Sequence, residues 1–197
     1  MDRMRIAGLV LAAGGGSRFG GPKALALLRG RPLAERAVAL LREGGCAPVH
    51  IVLGAQAERA MASLDLGDAV VVTNPGWQSG IGSSLRAGLA ALPETADAAV
   101  VVLVDQPLIG AEAVRRVIAA HRAGAAIAVA TYGGHLGHPV LLPRTAWADV
   151  AELAQGDTGA RAYLRRHPEL VTEVACDETG SPADVDTAED LAALQTD

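Results

Sequence analysis

Lysine and asparagine are almost absent from this chain of 197 residues. Lysine occurs once, at Lys23, whereas the other 16 basic side chains are arginine, and asparagine occurs once, at Asn74. Lysine carries a compact point charge and arginine a wide planar fork, so one lysine among many arginines indicates a position where arginine does not suffice. Lys23 is therefore a candidate functional residue.

Other scarcities exclude whole classes of protein. Only 3% of the residues are aromatic and the net charge is −5, which argues against a general nucleic-acid binder. The two cysteines, Cys46 and Cys176, form neither a metal-like cluster nor a disulfide framework, so we expect a reducing cytoplasm. No signal peptide is expected at the N-terminus. The longest uncharged stretch, residues 123–143, contains Pro139 and four glycines, so we expect no membrane span.

Apolar runs alternate with amphipathic runs along the whole chain. Continuous apolar runs predict buried strands, and runs with a helical period predict helices packed on them. Strands are predicted at 6–12, 49–53, 69–73, 98–104, 125–131, 138–142 and 171–175. Helices are predicted at 33–43, 56–64, 83–92, 111–122, 145–154, 158–166 and 187–194. This alternation predicts an α/β fold, a three-layer Rossmann-like arrangement in which a mostly parallel sheet carries helices on both faces. The length favours a single domain over residues 1–197.

A glycine-rich segment, LAAGGGSRFGGPK at residues 11–23, follows the first predicted strand directly. Glycine lets backbone N–H groups approach an anion closely, and Arg18 and Lys23 add two positive charges to the same loop. Such a loop suits a triphosphate. A Walker loop does not fit, because Gly21 stands where its lysine belongs. A dinucleotide fingerprint does not fit either, because Phe19 replaces its third glycine.

The segment resembles the opening L-A-A-G-x-x-x-R-x-G-x-x-K of the MobA-like nucleotidyltransferases. Further segments match the molybdenum cofactor cytidylyltransferase branch of that family in the same order. They are residues 74–89 (NPGWQSGIGSSLRAGL), 105–107 (DQP), 134–140 (GHLGHPV), 156–161 (GDTGAR) and 186–191 (DTAEDL). The resemblance implies a fold of the nucleotide-diphospho-sugar transferase type and a Mg²⁺-dependent enzyme. That enzyme would move CMP from CTP to a molybdopterin-type acceptor and release pyrophosphate.

The resemblance also implies roles for particular residues. Arg18, Lys23 and Asp105 would be catalytic, and Asp105 and Asp186 would hold Mg²⁺. The residues implied to bind the nucleotide are Leu11, Ala12, Ala13, Gly14, Gly15, Arg18, Lys23, Asn74, Gly80 and Ser84. Those implied to bind the acceptor are Trp77, Gly137, His138, Asp157, Gly159 and Arg161. The implied partners are CTP and the acceptor, with a molybdoenzyme or its chaperone as recipient of the product, and neither nucleic acid nor a membrane.

Structural roles compete with these assignments. Asp105, Asp186 and Asp157 each precede a predicted helix, where a carboxylate is a good N-cap. Trp77 either lies over a flat ring of a substrate or anchors its loop in the core. A lone histidine such as His138 is more often structural than functional.

Three other functions compete with cytidylyl transfer to molybdopterin. The acceptor could be another phosphorylated small molecule, since the loop and both aspartates would be unchanged. An NAD(P)H-dependent reductase could use the same glycine-rich opening, although the dinucleotide fingerprint is poor. The third alternative is a non-catalytic binding or chaperone module.

Overall fold

The computed structural model describes residues 4–195, and in it a seven-stranded sheet forms the centre of the protein. The strands in chain order are β1 (Ile6–Ala12), β2 (Leu27–Leu28), β3 (Arg31–Pro32), β4 (Val49–Leu53), β5 (Val70–Thr73), β6 (Ala98–Leu103), β7 (Ile127–Tyr132), β8 (His135–Pro143) and β9 (Val171–Ala175). The order across the sheet is β5-β4-β1-β6-β8-β7-β9, and β2 and β3 form a separate ribbon. Only β8 runs antiparallel to its neighbours in the sheet described.

Seven α-helices connect and cover these strands in the described part of the chain. They are α1 (Leu33–Glu43), α2 (Ala57–Ser63), α3 (Ile81–Ala91), α4 (Ala111–Arg122), α5 (Trp147–Leu153), α6 (Arg161–Arg166) and α7 (Ala188–Ala193). The sequence prediction of a mostly parallel α/β sheet with helices on both faces is confirmed. None of the helices in residues 4–195 has the length and apolar character that crossing a membrane requires.

Alternate residues of β1 enter two separate cores. Val10 packs in the core that includes Leu41 of α1 and Val117 of α4. Leu9 packs in the opposite core with Leu85 of α3. Successive side chains of a strand point to opposite faces of the sheet, so both faces of β1 are covered. Helix α3 approaches β1 closely, because a Cβ added at Gly88 would lie 2.6 Å from a methyl group of Leu9.

The order of the strands creates a crevice at their carboxyl ends. The chain proceeds from β1 outward to β4 and β5, and then returns to place β6 on the other side of β1. The loops after β1 and β6 therefore diverge at a topological switch point, where ligands of such sheets bind. The N–H of Val104 donates to the carbonyl of Leu11 at 3.1 Å, which holds the starts of these two loops together.

Several element boundaries differ from the sequence predictions. Helix α3 begins at Ile81, two residues before the predicted start at residue 83, and Gly80 precedes it without a side-chain cap. Helix α6 begins at Arg161 rather than at residue 158. The ribbon of β2 and β3 was not predicted, because strands of two residues leave no periodic pattern.

Candidate active site

Lys23 connects two carboxylates that lie far apart in the sequence. Its Nζ donates to Oδ2 of Asp105 at 3.0 Å and to Oδ1 of Asp186 at 2.9 Å. The Lys23 side chain is only 15% exposed, so its compact charge fills a confined space between the two acids. The lone lysine, singled out by composition, thus lies at the centre of a charged cluster at the switch point of the sheet.

Local hydrogen bonds position Asp186. The carbonyl of Asp105 accepts from the N–H of Val185 at 2.8 Å, which ties the C-terminal segment to the loop after β6. Oδ2 of Asp190 accepts from the backbone N–H groups of Asp186 and Thr187, and the Thr187 hydroxyl accepts from Asp190. Thr187 is therefore the N-cap of α7, in a capping box. The side chain of Asp186 is left free of capping and reaches Lys23.

The capping alternatives for the other two aspartates are also wrong. Helix α4 begins after Gly110, five residues beyond Asp105, and no side chain caps it. Helix α6 begins after Ala160, and Asp157 does not cap it. Both carboxylates instead line cavities.

The charges in this cluster shift one another's pKa values. The hydrogen bond from Lys23, followed by its positive charge, lowers the pKa of Asp186, and Arg18, 3.6 Å away, lowers it further. Burial lowers the pKa of Lys23, but the hydrogen bonds to Asp186 and Asp105 outweigh burial and leave that pKa raised. Burial and the charge of Asp105 raise the pKa of Asp184, whose Oδ1 accepts from Gln106 at 2.9 Å. Asp186 is therefore ionised and Lys23 charged at neutral pH.

A cavity of about 440 Å³ opens above this cluster, within the usual size of small-molecule sites. Eight of the residues expected to bind a nucleotide line it: Leu11, Ala12, Ala13, Gly14, Arg18, Lys23, Gly80 and Ser84. Trp77, Asp105, Asp157 and Asp186 also belong to its wall. We call this space the first cavity.

Asn74 and Gly15, also expected at the nucleotide, are not on the wall of the first cavity. Asn74 is only 6% exposed, and its Nδ2 donates to the hydroxyls of Ser83 and Ser84. Its Oδ1 accepts from the N–H of Gly76. The lone asparagine therefore holds the segment from Gly76 to Ser84 together through buried hydrogen bonds. Gly15 lies against Trp77, since an added Cβ would come within 2.8 Å of the indole ring.

Trp77 was expected at the acceptor but lines the first cavity and not the larger one beside it. The indole also packs against Gly54, where an added Cβ would lie 2.6 Å from the Trp77 Cβ. It is half-buried and in contact with the core that includes Leu85. The anchoring contact proposed for this ring is therefore present, and part of the ring's surface faces the cavity.

A second cavity of about 650 Å³ lies beside the first. It brings together the other five residues expected at the acceptor: Gly137, His138, Asp157, Gly159 and Arg161. Leu11, Ile81, Leu103 and Asp157 belong to the walls of both cavities. A group bound in the second cavity therefore lies next to a group bound in the first. Sequence reasoning missed Ile81, although it follows Gly80 directly in the matched segment.

His138 is uncharged in this environment at neutral pH. Burial, together with the positive charge of Arg161, lowers the pKa of His138 to about 4. An imidazole in this state offers one hydrogen-bond donor and one acceptor.

Close backbone packing fixes the wall between the cavities. The N–H of Gly82 donates to the carbonyl of Gly156 at 2.8 Å. A Cβ added at Gly80, whose φ is +104°, would lie 2.4 Å from that carbonyl oxygen and 2.6 Å from Oδ1 of Asp157. Glycine is therefore required at position 80 for both its conformation and its space.

The donor set at Lys23 fits a divalent cation of the magnesium class. Two carboxylates from separate loops converge within 3.0 Å of one cationic nitrogen, at the floor of a cavity large enough for phosphates. Mg²⁺ favours one or two carboxylates, with waters and substrate phosphates as its other ligands. Within residues 4–195 no group of three or more His, Cys, Asp or Glu side chains forms a closed cage. Asp105 and Asp186 are the residues that could hold such an ion.

Comparisons with known proteins agree with this architecture. Residues 8–171 match the model of the MobA-like NTP transferase domain. The chain is 41% identical over 194 residues to a Paenarthrobacter nicotinovorans protein named nicotine blue oxidoreductase, and the match covers 94% of each chain. It is 33% identical to Rv0371c from Mycobacterium tuberculosis H37Rv, whose crystal structure superposes with a TM-score of 0.85 over 98% of this chain and 99% of that one.

Two further structures extend the comparison. The structure of Rv0371c in complex with manganese has a TM-score of 0.79 at 33% identity, covering 98% of this chain and 99% of that one. The 2-C-methyl-D-erythritol 4-phosphate cytidylyltransferase from Thermus thermophilus is only 19% identical, with a TM-score of 0.71 over 98% of both chains. That likeness shows a shared fold.

Proposed function

Because the chain belongs to the MobA-like NTP transferase family, we propose that it transfers CMP from CTP to a phosphate group of a molybdopterin-type acceptor. One observation carries this proposal. Lys23, Asp105 and Asp186 converge on the floor of a cavity rimmed by the glycine-rich loop, and a second cavity shares its wall. A nucleotide and an acceptor can therefore meet beside a cluster suited to phosphate chemistry.

The reaction is an in-line displacement at the α-phosphate of CTP. An oxygen of the acceptor phosphate forms a bond to that phosphorus, the bond to the β-phosphate oxygen breaks, and pyrophosphate leaves. A phosphate nucleophile is already ionised at pH 7, so the site needs no general base. The protein supplies position and charge neutralisation, as in other phosphoryl transfers.

Lys23 and Arg18 are the cations of this mechanism. Lys23 is fixed by its two carboxylates, whereas the Arg18 side chain is 75% exposed, lies 3.6 Å from Asp186 and can fold over a triphosphate. Arg18 would hold two phosphate oxygens with its planar fork, and Lys23 would place a single charge near the bond that breaks. Both cations stabilise the departing pyrophosphate.

We assign a Mg²⁺ ion to Asp105 and Asp186. When bound, the ion would act as a Lewis acid that offsets the negative charge developing during phosphoryl transfer. The fit of the two carboxylates supports the assignment, as does the manganese complex of the 33% identical Rv0371c. The two aspartates would hold the ion, and the positive charge of Lys23 offsets the repulsion between them.

The choice of CTP rests on the L-A-A-G opening, since the resemblance associates that sequence with cytidine nucleotides. Leu11, Ala12, Ala13 and Gly14 all line the first cavity, where they can select a base. The choice of a molybdopterin-type acceptor rests on the matched segments that line the second cavity. A molybdoenzyme or its chaperone would receive the product. We place the reaction in the cytoplasm, in keeping with two buried cysteines that form no disulfide.

A second function is favoured by one specific observation. The relative that is 41% identical over 94% of both chains is named an oxidoreductase. An NAD(P)H-dependent reduction would place the dinucleotide in the first cavity and an oxidised acceptor in the second. This alternative requires neither CTP nor a divalent metal.

Thermal unfolding with CTP, GTP, ATP and NADPH, each with and without Mg²⁺, distinguishes the two functions. A true ligand at a hundredfold excess over its Kd stabilises the folded state by about 2.7 kcal/mol. We expect the largest rise in Tm with CTP and Mg²⁺ together. A larger rise with NADPH, independent of Mg²⁺, would establish the reductase instead, and a preference for GTP would contradict the choice of cytidine.

A further inference from the structure

The segment 181–186 leads into α7 and contains no helix or strand. Its placement therefore depends on single hydrogen bonds to other parts of the chain. The backbone contributes two such bonds to the loop after β6. The N–H of Ser181 donates to the carbonyl of Leu108 at 3.1 Å, and the N–H of Val185 donates to the carbonyl of Asp105 at 2.8 Å. The loop after β6 is thus the support on which this segment lies.

Gln106 adds two hydrogen bonds from one side chain. Its Nε2 donates to the carbonyl of Pro182 at 3.1 Å and to Oδ1 of Asp184 at 2.9 Å. A carbonyl can only accept, so the contact with Pro182 fixes which end of the amide is nitrogen. Gln106 is 8% exposed, and its surroundings confine the side chain to this arrangement. The contact joins the residue after Asp105 to a residue two positions before Asp186.

The oxygen of the same amide is in a less favourable position. Oε1 of Gln106 is buried and has no hydrogen-bond donor among the described residues. A buried polar atom without a partner destabilises the folded state, and such atoms are rare in native proteins. An apolar side chain of similar length would avoid this cost. Stability of the fold alone therefore does not account for a glutamine at position 106.

We propose that Gln106 is a positioning residue that keeps the carboxylate of Asp186 within reach of Lys23. The same contact would set the separation of the two carboxylates to which the proposed function assigns Mg²⁺, and in this respect the inference rests on that function. Gln106 lies outside the wall of the first cavity and acts through Asp184 and the backbone that leads to Asp186. Hydrogen bonds from such outer groups orient the ligands of a metal, and removing one typically lowers metal affinity about 10–100-fold.

The single lysine of the chain makes this arrangement directly observable. Lysine labelled with ¹⁵N at Nζ gives the full chain one side-chain resonance, that of Lys23. Hydrogen bonds to two carboxylates protect its Nζ hydrogens from exchange with water. Gln106→Met keeps the length of the side chain and removes the donor. At a fixed, mildly acidic pH at which the wild type shows the Nζ resonance, we expect that resonance to be lost in Gln106→Met.

Gln155→Met is the matched control for this exchange. Gln155 is exposed, and its Nε2 also donates to a backbone carbonyl at 3.1 Å, that of Glu152. The residue belongs to neither large cavity. The Nζ resonance of Lys23 should therefore be the same in Gln155→Met as in the wild type.

Mn²⁺ titration, followed by electron paramagnetic resonance without nucleotide, measures the consequence for the metal site. The affinity for Mn²⁺ should fall about 10–100-fold in Gln106→Met and stay at the wild-type value in Gln155→Met. Two variants of the exposed Asp184 test the same contact from its other side. Asp184→Asn loses the charge but keeps an acceptor oxygen for Gln106, whereas Asp184→Ala loses both. Mn²⁺ should therefore bind more weakly to Asp184→Ala than to Asp184→Asn.

A Lys23 resonance that is unchanged in Gln106→Met overturns the proposal. Equal Mn²⁺ affinities in Gln106→Met and the wild type overturn it as well. Far-UV circular dichroism checks that each variant is folded, and if Gln106→Met does not fold, equal Mn²⁺ affinities in the two Asp184 variants overturn the proposal instead. A wild type that bound no Mn²⁺ would contradict the metal site of the proposed function, and the Lys23 resonance would still decide the role of Gln106.

Discussion

Nζ of Lys23 lies 2.9 Å from Oδ1 of Asp186, although 163 positions of sequence separate the two residues. The same nitrogen is 3.0 Å from Oδ2 of Asp105, 82 positions away. The loop after β1 is thus joined through Lys23 to the loop after β6 and to the segment that precedes α7. Lys23, Asp105 and Asp186 therefore form one junction between three separate segments of the chain.

Lys23→Arg should reduce turnover roughly 100-fold or more, the scale of losing one positioned group that stabilises transition-state charge. The side chain is 15% exposed between two carboxylates, and a planar guanidinium cannot place one compact charge in that space. Pyrophosphate release from CTP would measure the effect, with far-UV circular dichroism as a check on folding. Arg122→Lys, an exchange of the same pair of residues on an exposed helix face, should leave turnover unchanged. Full activity in Lys23→Arg would contradict our account of the single lysine.

Asp105→Asn should abolish metal-dependent pyrophosphate release and weaken Mn²⁺ binding, because the neutral amide removes one of only two carboxylates at the junction. Mn²⁺ affinity, measured by electron paramagnetic resonance without nucleotide, separates loss of the metal from loss of turnover. Glu94→Gln, on the exposed segment before β6, removes a carboxylate elsewhere and should have no effect. Mn²⁺ binding of wild-type strength in Asp105→Asn would remove the metal role of this residue.

Protonation of His138 should destabilise the folded protein in mild acid. Burial and Arg161 lower its pKa from 6.5 to about 4. Between these two pH values His138 is protonated in the unfolded chain and neutral in the folded chain. The free energy of unfolding therefore falls as pH falls from 6.5 to 4. Below pH 4 this contribution no longer changes. Urea unfolding at a series of pH values should show this fall in the wild type and a smaller one in His138→Gln.

His135→Gln is the control for that experiment, because His135 is exposed on the same strand. Its pH profile should follow the wild type. If His138→Gln and the wild type lost stability in parallel between pH 6.5 and 4, the uncharged state assigned to His138 would be refuted.

Gly80→Ala should lower stability by more than about 1 kcal/mol, because alanine is strained at a φ of +104° and its Cβ would meet Gly156 and Asp157. The displaced Asp157 belongs to both large cavities, so the affinity for nucleotide should fall as well. Gly21→Ala, where an added Cβ meets nothing within 4 Å, should be close to neutral in stability. Similar Tm values for the two variants would show that Gly156 and Asp157 shift to make room for the extra methyl group, and would contradict this prediction.

The fold could be predicted from the sequence wherever the hydrophobic period was unambiguous. The predicted helices at 33–43 and 111–122 and the predicted strands at 6–12 and 171–175 have the observed bounds. The first three of these segments are clear apolar runs or amphipathic repeats bounded by turn residues, whereas the fourth, VTEVA, is a short edge strand with exposed side chains. The short ribbon of β2 and β3 could not be predicted, because two residues do not establish a period. Strand β8 begins at His135 rather than at residue 138, since Gly137 weakens the pattern there.

The candidate site was predictable as a set of loops but not as a set of contacts. Strand order at a parallel sheet predicts that Lys23 and Asp105 lie at one edge, and both are found there. Sequence patterns could not show that Asn74 turns inward to Ser83 and Ser84, because its neighbours depend on how the loop folds. Sequence patterns also could not show that Nε of Arg36 and Oε1 of Gln106 are buried without a hydrogen-bond partner among the described residues, since this depends on how the side chains pack. Both Lys23 and Asn74 stood out because their residue types are rare in the chain. Rarity alone did not show that Lys23 lines the first cavity whereas Asn74 supports its loop from the inside.

Asp186 is held in place by a helix of only six residues close to the C-terminus, beyond residue 171, where the family match ends. Short terminal helices open and close without disturbing the rest of a domain. Each opening of α7 would withdraw Asp186 from Lys23 while the seven-stranded sheet remained intact. Catalytic activity should therefore fall on heating before the far-UV circular dichroism signal of the helices falls. A ligand that binds both Asp105 and Asp186 would hold this terminal helix in its closed position.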